Sequence, residues 1–162
     1  MTENITCTVG DATRPQGPGS KIIAHVCNDI GGWGAGFVRA LSRRWPQPEA
    51  AYRRWYRERA TNDFALGAIQ LVQVEDGLSV ANMIGQHGIR SRSRTSQAAP
   101  VRYEAIDRAL TALAAHASAT AASVHMPRIG CGLAGGRWEE VEPLITRRLS
   151  ARGIAVTVYD LP

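Results

Sequence analysis

Lysine is almost absent from this chain. Of its 19 Lys and Arg residues only Lys21 is a lysine, so chemistry that needs a side-chain amine has one candidate. Also missing is any stretch long and apolar enough to span a bilayer, and Met1-Thr2-Glu3-Asn4 lacks the basic-then-apolar layout of a secretory signal. The expectation is a cytoplasmic protein with no membrane partner. Cysteine is scarce: Cys7, Cys27 and Cys131 are odd in number and show no metal-ligand spacing, which argues against a disulfide framework and a zinc site. They read as small buried residues. There is no internal repeat, and the aromatic-and-basic strand pattern that stacking of single-stranded bases requires is lacking.

What remains is enough for one folded domain. At 162 residues and 44% hydrophobic content, the chain can bury a full core as a single unit over residues 1–162. Its net charge of +5 attracts anions in general without choosing among nucleotides, nucleic acid and acidic protein. Apolar runs at Thr6 to Val9, Ile22 to Val26, Ala68 to Val74, Leu78 to Ile84, Val124 to Pro127 and Ile154 to Tyr159 predict six short strands, mostly of the kind buried on both faces. Helical periodicity runs through Gly36 to Arg44, Pro48 to Arg59, Val101 to Ala119 and Trp138 to Arg152. Glu75-Asp76-Gly77 reads as a hairpin turn, which makes the sheet mixed, while the other strands alternate with helices. The fold class is α/β, a three-layer α/β/α sandwich around a mixed, mostly parallel central sheet. Residues 88–99 form a polar, arginine-bearing insertion that reads as a mobile loop, its arginines either meeting an anion or staying solvated.

Two glycine-rich turns carry the functional signal, each placed after an apolar run and before a helical pattern. The first is Cys27-Asn28-Asp29-Ile30-Gly31-Gly32-Trp33-Gly34-Ala35-Gly36, and the second is Arg128-Ile129-Gly130-Cys131-Gly132-Leu133-Ala134-Gly135-Gly136. A strand running through glycines into a helix aims unpaired N–H groups and the positive end of the helix dipole past the sheet edge, a seat for phosphate. Two such seats in one domain suit a diphosphate-bridged nucleotide. The alternative is two tight turns that need glycine for positive φ and bind nothing.

At these turns the chain resembles a macrodomain, the ADP-ribose-binding α/β/α module. The resemblance rests on Val9-Gly10-Asp11-Ala12-Thr13, His25 through Gly36, Met126 through Leu133 with Trp138-Glu139, and Val156-Thr157-Val158-Tyr159, in the family's order along almost the whole chain. It implies that Asp11 selects adenine with Ala12 beside it, where the residues alone allow an aspartate closing a turn. It implies that Gly34, Ala35 and Gly36 approach the phosphates and distal ribose, and that Pro127, Ile129, Gly130, Cys131, Gly132, Leu133 and Ala134 close the other side. Tyr159 either stacks on adenine or is a core tyrosine. Trp33 either walls the distal ribose or pins its loop. Asn28 and Asp29 either orient ribose hydroxyls or a water, or close an Asx-type turn.

The chain also departs from the pattern. The resemblance implies a hydrolytic lysine after the strand Leu78–Ile84 and an aspartate in the second loop, and these places hold Gln86, with His87 beside it, and Ala134. Lys21 sits at the wrong end of its strand to substitute. The expected function is removal of mono-ADP-ribose from acidic residues of proteins by a lysine-independent, water-mediated route, with Asn28 and Gln86 as candidate catalytic residues. The alternative is a non-catalytic ADP-ribose reader; a single domain standing alone favours the enzyme. Expected partners are ADP-ribose and ADP-ribosylated proteins, with nucleic acid only where it is itself ADP-ribosylated. No cofactor or metal is expected, and the protein is expected to be a monomer.

Overall fold

The structure, a computed structural model, describes residues 5–89 and 99–162. Six strands, β1 (Thr6–Val9), β2 (Lys21–Asn28), β3 (Ile69–Glu75), β4 (Leu78–Gln86), β5 (Ser123–Met126) and β6 (Val156–Asp160), form one sheet in the order β1-β6-β5-β2-β4-β3. Only β3 runs antiparallel to its neighbour. It joins β4 through Asp76-Gly77, with Gly77 at φ +69° and a register shift between Gln73 and Glu75, so the hairpin closes on a left-handed glycine and a bulge.

Four helices, α1 (Phe37–Arg44), α2 (Gln47–Arg57), α3 (Tyr103–Thr120) and α4 (Trp138–Arg148), cover the faces. Period-two alternation along the strands divides the core between them. Ile22, Ala24, Ala81, Met83, Val124 and Val158 pack with Ile106, Leu110, Val141 and Ile145 of α3 and α4. Ile23, Cys27, Val80 and Ile84 face the other way and pack with Leu41, Trp45, Tyr52 and Trp55 of α1 and α2. This is the expected α/β/α sandwich.

Some boundaries differ from the sequence reading. Strand β2 runs on through Cys27 and Asn28, which pair with Ile84 and Gln86 of β4. Helix α4 stops at Arg148 and a separate 3-10 turn, Ser150–Arg152, follows before Gly153 at φ +81°. The expected mobile loop falls largely on residues 90–98, outside the described residues. Along the chain, β2 leads toward β4 and β3 on one side, whereas α3 carries the chain back over β2 to β5, and α4 leads outward to β6. The direction therefore reverses between β2 and β5, whose ladder has only three register pairs, Lys21 to Ser123, Ile22 to Val124 and Ile23 to His125. In open α/β sheets ligands sit beyond the strand ends at such a reversal.

Candidate functional site

Side chains hold the first glycine loop in place. Asn28, only 8% exposed, accepts from Ile30 N and Gly32 N at 3.0 Å each and from the Tyr52 hydroxyl at 3.0 Å. Its Nδ2 donates to the Gly32 carbonyl at 2.8 Å. The Tyr52 hydroxyl also lies 2.6 Å from the Asn28 carbonyl, and burial pushes its phenol well above the usual range, so it stays a donor. From the same helix Arg53 donates to the Gly31 carbonyl at 3.0 Å. Trp33 is 7% exposed and its indole donates to Ser42 Oγ at 2.8 Å, which pins the loop to α1.

Backbone hydrogen bonds hold the turn of the second loop, whose first residue, Arg128, is anchored by its side chain to Asp160. Gly136 N donates to the Gly130 carbonyl at 2.8 Å, Gly135 N to the Gly132 carbonyl at 2.9 Å, and Val101 N to the Ala134 carbonyl at 2.9 Å. Gly130, Gly132 and Gly135 all have φ between +72° and +77°, where a side chain is strained. Cys131 is partly buried and burial raises its thiol, the reverse of what a nucleophile needs.

Between the loops lies a cleft of two adjoining lobes. The smaller, about 110 Å³, is lined by Asn28, Trp33, Gly34, Ala35, Gln86 and Leu133 among others. The larger, about 240 Å³, is lined by Ala35, Gly36, Gln86, Pro127, Ile129, Gly130, Cys131, Gly132, Leu133 and Ala134 among others. Ala35, Gln86 and Leu133 belong to both lobes. The cleft thus collects most of the residues singled out in the sequence.

Asp11, Ala12, Asp29 and Tyr159 line neither lobe. Asp11 follows β1, at the far edge of the sheet from β4, and its Oδ1 accepts from Thr13 N at 2.9 Å and the Thr13 hydroxyl at 2.7 Å. Burial works to raise this carboxyl, but the two Thr13 hydrogen bonds and the charges of Arg14 and Arg44 together hold it below its ordinary value. Ala12 is buried. Tyr159 is a core tyrosine, 5% exposed: its hydroxyl takes Gln16 N at 3.0 Å and pairs with His125 Nδ1 at 2.7 Å, and Gly10 packs on its ring. The stacking alternative gives way because the ring is buried, with Gly10 against it. Asn28 closes a turn instead of offering its amide oxygen to water, because all of that oxygen's capacity is taken by the loop. Asp29 turns toward the end of β4, where it pairs with His87.

Two buried histidines underlie the loops. His25 on β2 sets Nε2 2.6 Å from Asn82 Oδ1, whose Nδ2 donates to the Pro48 carbonyl and Gln70 Oε1. Burial lowers His25 to about 4, so it is neutral at pH 7 and carries its proton on Nε2. His125 on β5 is lowered to about 4 by burial and by Lys21. Lys21 itself, at the first residue of β2, donates to the Gly19 carbonyl at the opposite end of the sheet from the cleft. Neither Tyr52 nor Arg53 was singled out in the sequence. Their spacing on α2 reads as an ordinary amphipathic helix, and only the fold brings them under the loop.

Comparison with known proteins bears on this geometry. No protein-family model matches the chain. A macrodomain protein from Streptomyces coelicolor superposes with a TM-score of 0.86 and 62% identity, over 97% of this chain and 99% of that one. Mouse Chromodomain-helicase-DNA-binding protein 1-like is 32% identical over 168 residues, 98% of this chain; the chain spans 18% of that protein's length. Human ADP-ribose glycohydrolase OARD1 is 38% identical over 60 residues, 36% of this chain and 40% of that protein. A fold shared end to end at this identity settles the affiliation: the chain belongs to the macrodomain family.

Proposed function

We propose that the cleft binds ADP-ribose and that the protein releases mono-ADP-ribose from acidic residues of proteins with a positioned water. The observation that carries the reading is the pair of facing glycine loops. A Cβ added at Gly34, Gly36 or Gly132 would meet nothing within 4 Å, so those backbones border open space that a ligand can fill. The diphosphate would lie between the loops in the larger lobe, the distal ribose in the smaller lobe against Trp33 and Gln86, and adenine toward Asp11, whose second oxygen is free of the Thr13 turn.

In the ester reaction the water oxygen bonds to the anomeric carbon as the bond from that carbon to the ester oxygen breaks. The electron pair leaves on the carboxylate and the surplus water proton passes to solvent, giving ADP-ribose and a free side-chain carboxylate. A carboxylate leaves without being protonated, so no strong general acid is required. Gln86, which lines both lobes, would orient the water. The similarity of 60 residues to a protein named as a glycohydrolase supports the enzyme reading. One observation favours a reader module instead: Ala134 occupies the place of the aspartate, is buried, and has no polar group to offer.

Calorimetry with ADP-ribose and an assay of ADP-ribose released from a glutamate-linked substrate separate the readings. Binding at about micromolar Kd, about 8 kcal/mol, together with release supports the hydrolase. Binding without release leaves the reader, and no binding at millimolar ligand by a folded protein overturns both. Gly34→Val should weaken ADP-ribose at least about 100-fold with an unchanged melting temperature, because Gly34 is not at positive φ and its side chain would enter the cleft alone.

A further inference from the structure

A glutamine side chain is long, and its amide can present either a donor or an acceptor to a cavity. At the end of β4 one of its donors is already engaged. Gln86 Nε2 donates to the Gly88 carbonyl at 3.0 Å. Gly88 N in turn donates to Asp29 Oδ1 at 2.8 Å, and Asp29 Oδ2 lies 2.7 Å from His87 Nδ1. Packing reinforces the strap, since a Cβ at Gly32 would fall 2.6 Å from Ile89 Cδ1. The residues that follow β4 are therefore bound to the first glycine loop through one carboxylate, itself mostly buried. Nε2 spends one of its two N–H groups on Gly88, and Oε1, which only accepts, has no hydrogen-bond partner among the described residues.

We propose that Asp29, assisted by His87, is a positioning residue that holds Gln86 with its carbonyl oxygen toward the smaller lobe, where it takes a hydrogen bond from the attacking water. The proposal rests on the hydrolase reading above. One O–H of the water is then directed at Oε1 and a lone pair is left for the anomeric carbon. Asp29 acts through Gly88 and does not touch the ligand.

The test uses the full chain, with nuclear magnetic resonance of the Gln86 side-chain amide and steady-state release of ADP-ribose from a glutamate-linked substrate. In the parent protein the two Nε2 protons should be well separated and slow to exchange. In Asp29→Ala they should collapse to solvent-averaged positions, and in Asp29→Asn, whose Oδ1 can still accept from Gly88 N, the separation should return. The kcat of Asp29→Ala should fall about 30-fold with KM within about twofold, Gln86→Ala should fall similarly, and the double variant should fall no further. An unchanged Gln86 amide in Asp29→Ala, or losses that multiply in the double variant, overturns the positioning role. If the parent protein releases no ADP-ribose, the hydrolase reading fails by itself, while the amide spectra still decide whether Asp29 holds Gln86.

Discussion

The two glycine loops do one job by opposite means. The first is tied from outside: Asn28, Tyr52, Arg53 and Trp33 supply its hydrogen bonds, and α2 stands beneath it as a prop. The second is tied mostly by backbone: Gly136 N and Gly135 N close on carbonyls within the loop, Val101 N reaches in to Ala134, and the positive-φ glycines follow a path that strains a side chain. Taking side-chain atoms away should therefore weaken the first loop more than the second. Equal sensitivity of both loops to side-chain truncation would break this contrast.

Among single substitutions the largest effect belongs to the second loop. A Cβ at Gly136 would lie 2.2 Å from the Gly130 carbonyl oxygen, and backbone there cannot step aside without losing the bond that closes the loop. Gly136→Ala should cost about 3 to 5 kcal/mol in denaturant unfolding, at the top of the range for single substitutions.

Next comes acid, which strikes beneath both loops. His25 and His125 have folded values near 4 against 6.5, so between those limits the unfolded chain binds protons that the native state refuses. Their contribution is intact above about pH 6.5 and is lost as pH falls toward 4. At about 1.4 kcal/mol per unit the loss approaches about 3 kcal/mol for each histidine. Melting temperature followed from pH 7 to pH 4 checks this, and His125→Gln should flatten the curve by about half. Carboxylates held low, such as Asp11, add their loss only below that window.

Asn28→Ala should follow. It strips the acceptor from Ile30 N and Gly32 N at once while the Tyr52 hydroxyl keeps the Asn28 carbonyl, for about 2 to 3 kcal/mol and a measurable loss of ADP-ribose affinity by calorimetry. The smallest effect is Lys21→Ala. Its amine touches only the Gly19 carbonyl at the far end of the sheet, so the change should cost at most about 0.5 kcal/mol and leave hydrolysis intact. Loss of release in that variant would restore the lysine chemistry that the geometry rejects.

Sequence periodicity located all six strands and four helices, because both the 2-residue and 3.6-residue signals are local. The glycine loops were legible for the same reason: each is a contiguous run whose chemistry depends on its own residues. What stayed hidden is everything that requires knowing which strands are neighbours. Asp29 and His87 are 58 positions apart, and only the adjacency of β2 and β4 brings them within 2.7 Å. Tyr159 could not be placed either, since the Gln16 N that meets its hydroxyl lies 143 positions away in the chain. Asn28 carried both of its readings until Tyr52 and the turn amides were seen to occupy its oxygen.

The short ladder between β2 and β5 gives the sheet a seam. Three pairs, Lys21 to Ser123 through Ile23 to His125, join the half-sheet β3-β4-β2 to the half-sheet β5-β6-β1, and the cleft opens where that ladder stops. A ligand gripped by one loop from each half is then a fastener across the seam, its binding free energy added to a joint of three rungs. Amide exchange along Lys21–Ile23 should accordingly slow in step with occupancy of the cleft, which makes this short joint a gauge of what fills the site.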